Sequence, residues 1–347
     1  MFHINKIKSF ISFICIITFT SPGYSQNSII NGFTSSIKVM DSSSGQYIGV
    51  AGYNSANGQN GWQFDQWGAT PNLLPELFLN GTEWALANQY KRIKFYPLLN
   101  GIPNVYELAV SNLPCTSIST SGNEVDLFLG TSILTNTQPR LDQIGELNFA
   151  ANTDVIYSAV QTGCPDNWTK HVASLILATA GITPKQTIYI QIELGGTNSE
   201  SINSNWCPDY ENVTTSAFLN EFCVDRGISK YGGSYINGIG QRSFNVDLLP
   251  ELIDMIRTGH TKPQPYANIS LNNNPNNWYI EGFYMGMINY GKTTTTTRWS
   301  APLLNGNGGT FCTGNTKTQF VCNKVPAGQG WTDVGGSCYH RVSSVPC

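Results

Sequence analysis

The sequence predicts a mostly β protein: an antiparallel β-sandwich with one or two short helices and a small, disulfide-rich C-terminal appendage. Three observations predict it. Short runs of β-branched and aromatic residues recur between Gly, Asn and Ser turns, as in Thr187–Gly196 and Trp278–Tyr290. Only 12% of residues are charged, about half the usual share of a globular protein. Four of the nine cysteines fall after residue 305, in a segment too small to build much core.

The chain starts like an exported one. Lys6 and Lys8 precede a short apolar run, Phe10 to Phe19, and Gly23-Tyr24-Ser25 offers small residues for cleavage before Gln26. The run is too short to span a membrane, and no later segment is long and apolar enough. The expected organisation is a signal peptide over 1–25, a sandwich domain over 26–304 and a cysteine-rich tail over 305–347, with a secreted, extracellular or periplasmic location. Without Lys6 and Lys8 the 19 basic residues become 17, against 22 acidic ones. With no basic run, nucleic acid is not an expected partner.

Removal of Cys15 with the leader leaves eight cysteines, four before residue 305 and four after it. An even number in an exported chain points to disulfides, with pairing within each group and connectivity open. No Cys-x-x-Cys occurs and the mature histidines, His171, His260 and His340, are scattered, so no metal and no cofactor is expected. No nucleophile elbow, His-Glu-x-x-His, phosphate loop or dinucleotide fingerprint is present.

Asn245 to Leu304 is the most informative stretch. Val246, Leu249, Leu252, Ile253 and Ile256 fall at helical spacing, with Asn245 or Asp247 as cap and Pro250 in the first turn. Trp278 to Tyr290 reads as a long strand opened by Gly282 and Gly286, and Thr293 to Trp299 as its partner. Simple alternation puts Trp278 and Tyr284 on one face, Tyr279 and Glu281 on the other. Thr187 to Gly196 is the clearest strand: Ile188, Ile190, Ile192 and Leu194 face a core, while Tyr189, Gln191 and Glu193 face away. Lys170 to Gly181 fits a helix or a buried strand, and a short helix is expected near Ala217 to Phe222. Trp62 and Trp67, in a Gly/Asn/Gln setting, suit either an aromatic platform for sugar rings or a plug at one end of the sandwich.

Several stretches resemble the family 12 glycoside hydrolases, endoglucanases of concanavalin-like jelly-roll fold. Ile93-Lys-Phe-Tyr-Pro97 resembles that family's Val-Lys-Ser-Tyr-Pro, and Glu124-Val-Asp-Leu-Phe128 its Ala-Tyr-Asp-Leu-Phe strand. Ile188 to Gly195 resembles Tyr-Glu-Ile-Met-Ile-Trp-Leu-Gly, and Asn245 to Leu304 the family's late helix and following strand. The resemblance implies a jelly roll that meets polysaccharide. It places Tyr189 where the catalytic nucleophile is expected and Ile288 at the acid/base position, and neither side chain serves. A relocated pair, Glu193 with Glu281, is the alternative.

Three functions follow as expectations. The first is glycan binding on an aromatic and amide-lined face, with Trp62, Trp67, Tyr189, Gln191, Trp278 and Tyr284 as candidate contacts. The second is hydrolysis of a β-glucan-type polysaccharide through Glu193 and Glu281. The third is a structural or host-interaction role carried by the tail.

Overall fold

The computed structural model describes residues 28–41, 46–52, 61–68, 78–80, 83–111, 124–133, 140–161, 163, 167–200, 221–258, 270–307, 309–313, 316–322, 332–335 and 338–343. The expected signal peptide, most of the 217–222 helix and most cysteines lie outside these residues. Of the helix segment, Glu221 and Phe222 belong to a strand.

Two sheets make the sandwich. The nine-stranded sheet contains β1 (Ser36–Met40), β2 (Tyr47–Gly52), β3 (Trp62–Gly68), β8 (Glu124–Ser132), β10 (Trp168–Thr179), β11 (Thr187–Gly196), β12 (Glu221–Gly227), β13 (Ile236–Asn237) and β15 (Trp278–Tyr290). Its order is β12-β11-β10-β15-β8-β3-β1-β2, with β13 against β11. The seven-stranded sheet contains β4 (Phe78–Asn80), β5 (Glu83–Ala87), β6 (Lys91–Leu99), β7 (Ile102–Val110), β9 (Glu146–Val160), β14 (Gly240–Asp247) and β16 (Thr293–Asn307), ordered β14-β9-β16-β7-β6-β5-β4. The tail forms a separate four-stranded sheet of β17 (Gly309–Thr313), β18 (Thr316–Cys322), β19 (Thr332–Gly335) and β20 (Cys338–Ser343). The pairing is mostly antiparallel, but β1–β3, β11–β12 and β11–β13 are parallel, which a purely antiparallel sandwich does not include.

The core is the layer between the two sheets. Ile188, Ile190, Ile192 and Leu194 enter it from β11, Ala173, Leu175 and Leu177 from β10, and Phe149, Tyr106, Phe95 and Trp299 from the facing sheet. Lys170 to Thr179 is therefore strand, not helix: it pairs along its length with both β11 and β15, and tertiary burial overrides the helical spacing. Thr293 to Trp299 crosses to the opposite sheet and pairs with β7 and β9, so it is not the hydrogen-bonded partner of β15. A left-handed Gly291 (φ 64) makes the turn between them.

The one α-helix among the described residues is α1 (Leu249–Thr258). Asp247 caps it: Oδ1 accepts from Leu249 N at 3.0 Å and from Leu147 N at 2.9 Å, tying the helix start to β9. Leu249, Leu252, Met255 and Ile256 are its buried face. Val246 belongs to β14, so its fit to the helical spacing is accidental.

One end of the core is polar. The Thr169 hydroxyl donates to Asn289 Oδ1 at 3.1 Å and lies 3.0 Å from Thr295 Oγ1 on the other sheet. His171, two residues along β10 and fully buried, has neither ring nitrogen hydrogen-bonded among the described residues. Burial pushes its pKa down to about 3. Above pH 6.5 the ring is neutral in folded and unfolded chains alike. Between about 6.5 and about 3 only the unfolded ring takes up a proton, so stability falls on acidification by ~1.4 kcal/mol per pH unit. In urea titrations over that range, His171→Met is expected to show a shallower acid loss than wild type, and parallel losses would contradict this.

Gly286 permits the tight approach of β15 to β8. A Cβ there would come within 2.0 Å of Leu127 O and 2.9 Å of Phe128 Cα, both backbone atoms that cannot swing away. Gly286→Ala is expected to cost about 3 kcal/mol in chemical denaturation, because the strands must separate.

Candidate functional site: the outer face of the nine-stranded sheet

The sheet's core-facing side is apolar, so chemistry collects on the side turned away. Register aligns its residues in rows across the strands. Gln191 on β11 is opposite Ser174 on β10, Ser174 is opposite Tyr284 on β15, Tyr284 is opposite Gly130 on β8, and Gly130 is opposite Gln63 on β3. One row along run Glu193, Val172, Gly286, Phe128 and Asp65. In the next, Lys170 is opposite Ile288, and Ile288 opposite Asp126.

A bulge decides which residues of β15 join this face. Ile176 is opposite Gly282 while Leu177 is opposite Ile280, so Glu281 is an extra residue and the alternation switches there. Trp278 and Ile280 point into the core before the bulge, and Phe283 and Met285 after it. Tyr284 and Ile288 consequently face outward. The strict alternation that paired Trp278 with Tyr284 fails for this reason.

Trp278 is fully buried, its indole donating to Asn272 O at 2.9 Å. Trp62 is 1% exposed, donates to Asn31 O at 2.7 Å, and packs edge-on against Phe33 (4.6 Å) and Phe283 (6.4 Å). Both rings are spent in the core and present no face to a ligand. Trp67 is opposite Asp126 on β8, and its side chain lies outside the described residues. Tyr189, Gln191 and Tyr284 do come together on the outer face, Tyr189 and Tyr284 half-buried and Gln191 deeper.

The carboxylate pair Glu193 and Glu281 does not come together. Glu193 is level with Gly286 two strands away, and Glu281 lies five residues back along β15. That separates their backbones by roughly 16–19 Å. Their cations also hold them: Lys170 is ion-paired to Glu193, and Lys185 to Glu281 at 2.6 Å. A pair flanking a glycosidic bond sits within about 10 Å. The relocated pair is thereby corrected.

The residues that sequence reading missed are mostly on β3, β8 and β10. The Lys170 ammonium bridges Glu193 and Asp225 (3.1 Å) and lies 5.2 Å from the Trp168 ring, which stacks on Tyr290 at 4.3 Å. The two carboxylates beside it hold Lys170 charged, above the usual lysine range, although burial opposes this. Phe128 packs edge-on to Tyr284 at 4.9 Å. Ser174 Oγ is fully buried in the first row and has no hydrogen-bond partner among the described residues. Asp65 accepts two hydrogen bonds from the Gln63 amide, at 3.0 and 2.9 Å, and no cation pairs with it among the described residues. Burial pushes its pKa up to about 6, with the Gln63 amide pulling the other way. The signal available for Asp65 was its place between Phe64 and Gln66, one residue from a core position, but that needs the direction of β3 to be known.

No protein-family model matches the chain, and no curated protein matches it in sequence. Among solved structures it is similar to endoglucanase Cel12A from Rhodothermus marinus, at 8% identity over 65% of this chain and 92% of that one, with a TM-score of 0.35. It is also similar to the family 11 xylanase from Neocallimastix patriciarum (8% identity, 70% and 100% covered, TM-score 0.35). A third is endoglucanase 3 of Trichoderma harzianum, from family GH12 (11% identity, 69% and 97% covered, TM-score 0.33). These are distant jelly-roll hydrolases to which the strand arrangement is similar, at a level that assigns the chain to no family.

Lys170→Met is expected to destabilise the fold by ~3–5 kcal/mol, since it leaves two buried carboxylates without their shared cation. Adding Glu193→Gln is expected to recover part of that loss in the same denaturation assay. A double variant no more stable than the single one would mean that packing, not charge, is what Lys170 contributes.

Proposed function

We propose that the protein is a secreted carbohydrate-binding β-sandwich that holds a glycan against the outer face of its nine-stranded sheet. The observation that carries this is the row Gln191, Ser174, Tyr284, Gly130 and Gln63, which crosses five adjacent strands on one face. At about 4.8 Å per strand the row runs for roughly 19 Å, room for several sugar rings. Half-buried Tyr284 and Gln63 are its accessible polar groups, a phenol and an amide for sugar hydroxyls, with Gly130 leaving space between them and Gln191 and Ser174 buried alongside. Half-buried Tyr189 and Tyr284 supply flat apolar rings for pyranose faces. Export is supported by the leader-like residues 1–25, and polar recognition without a cation cluster suits a neutral polymer.

Hydrolysis has less support, because the Glu193–Glu281 pair is dispersed and the close pair among the described residues, Glu193 with Asp225, is buried around Lys170. Retention on an insoluble β-glucan, measured against a protein of similar size, tests the reading. Tyr284→Ala is expected to weaken retention at least tenfold with little change in melting temperature, stacking being worth ~1–2 kcal/mol. Wild-type protein that no polysaccharide retains would end the proposal.

A further inference from the structure

Gln63 and Asp65 are two residues apart on β3, with fully buried Phe64 between them, so both lie on the outer face. They border a hollow over Gly130. A Cβ at position 130 would lie 3.0 Å from Asp65 Oδ2, 3.7 Å from Gln63 Cγ and 3.7 Å from Tyr284 Cβ. The pair and the tyrosine are therefore opposite walls of one hollow. Gln63 Nε2 donates to both carboxylate oxygens, Oδ1 at 3.0 Å and Oδ2 at 2.9 Å, and neither side chain has another hydrogen bond among the described residues. An ionised carboxylate has no hydrogen to give, so only the NH2 end of an amide can face it. The Gln63 amide is thereby held one way round. Its Oε1 is turned from Asp65 and is neither hydrogen-bonded nor buried among the described residues.

Resting on the glycan-binding reading, we propose that Gln63 is a specificity-determining contact whose amide oxygen accepts from a free sugar hydroxyl, and that Asp65 is the positioning residue that fixes the amide in that orientation. The ligand class follows: a glycan whose hydroxyl over Gly130 is unsubstituted. An ether oxygen at that point has no hydrogen to offer, and its lone pairs would face those of Oε1. The amide cannot turn its NH2 end toward the ether without setting Oε1 against the carboxylate. At pH 7.5, above its raised pKa of about 6, Asp65 is ionised and holds the amide in place. Removing Asp65 frees the amide to serve as donor or acceptor, so it costs less in affinity than in discrimination.

Affinity electrophoresis at pH 7.5, with a soluble β-glucan or the same polymer after O-methylation in the gel, reads this. Wild type is expected to prefer the parent polymer. Asp65→Ala is expected to cut that preference about fivefold, while its retardation by the parent polymer weakens only about threefold. Gln63→Met, which has no polar end, is expected to cut the preference by a similar factor, about fivefold. Adding Asp65→Ala to Gln63→Met is expected to change nothing further, because Asp65 acts only through the amide. Other hydroxyls touched by methylation contribute equally to wild type and variants and cancel in the comparison. An Asp65 that merely supported the fold would weaken binding of both polymers alike, and circular dichroism checks each variant. Equal retardation of wild type by both polymers, either single variant keeping the wild-type preference, or a double variant weaker than Gln63→Met alone would overturn the pairing while leaving glycan binding standing. Wild type unretarded by the parent polymer would remove both this inference and the function on which it rests.

Discussion

The register of β15 is the constraint on which the rest depends. The strand sits in the middle of the nine-stranded sheet, hydrogen-bonded to β10 on one side and β8 on the other. Its single extra residue, Glu281, switches the side-chain alternation, and a one-residue change moves every side chain after it to the other face. With the bulge, Phe283, Met285 and Met287 fill the core while Tyr284 and Ile288 face outward. Without it, three large apolar side chains would face outward and a tyrosine would enter the core. Gly286 then lets β8 close against the strand, which brings Phe128 and Gly130 to the same face.

The same bulge explains why the fold was more legible than the site. Strand identity depends on local pattern, and β11 shows this most clearly: its isoleucines are buried and Tyr189, Gln191 and Glu193 lie opposite. The helix was legible for a similar reason, since its cap and apolar spacing lie within ten residues of each other. Pairing between distant strands is not local. Nothing near Thr293 says that its strand joins the opposite sheet, and nothing near Trp62 says that Phe33 and Phe283 will enclose it. Composition around Trp62 suggested a platform, but its alternation with Phe64 places both rings inside. The ambiguity at Lys170 to Gly181 has the same origin: a strand buried on one face and largely covered on the other lacks clean alternation.

Electrostatics then separate two parts of the outer face. In the part around Lys170, Glu193 and Asp225 are nearly inaccessible and neutralised, and Val172, Ile288, Phe128 and Tyr290 form a small second apolar cluster. Buried ion pairs of this kind contribute little net stability, but loss of one member is costly. They tie β10, β11 and β12 together at one part of the outer face. The part around Tyr189, Tyr284, Gln63 and Asp65 retains accessible polar groups, and there a carboxyl keeps a raised pKa.

That division bears on why the positions matching a hydrolase's carboxyls are unsuited to catalysis. Tyr189 and Ile288 both face outward, but register sets them apart: Tyr189 is level with Gly282, six residues along β15 from Ile288. Restoring glutamates at both would leave them roughly 20 Å apart along the strand direction alone. The departure therefore extends beyond two substitutions to the relative placement of the strands, and restoring the side chains would not restore the geometry. What the face does place in one row is the aromatic ring of Tyr284 between the amides of Gln191 and Gln63, with Glu193 and Glu281 far apart.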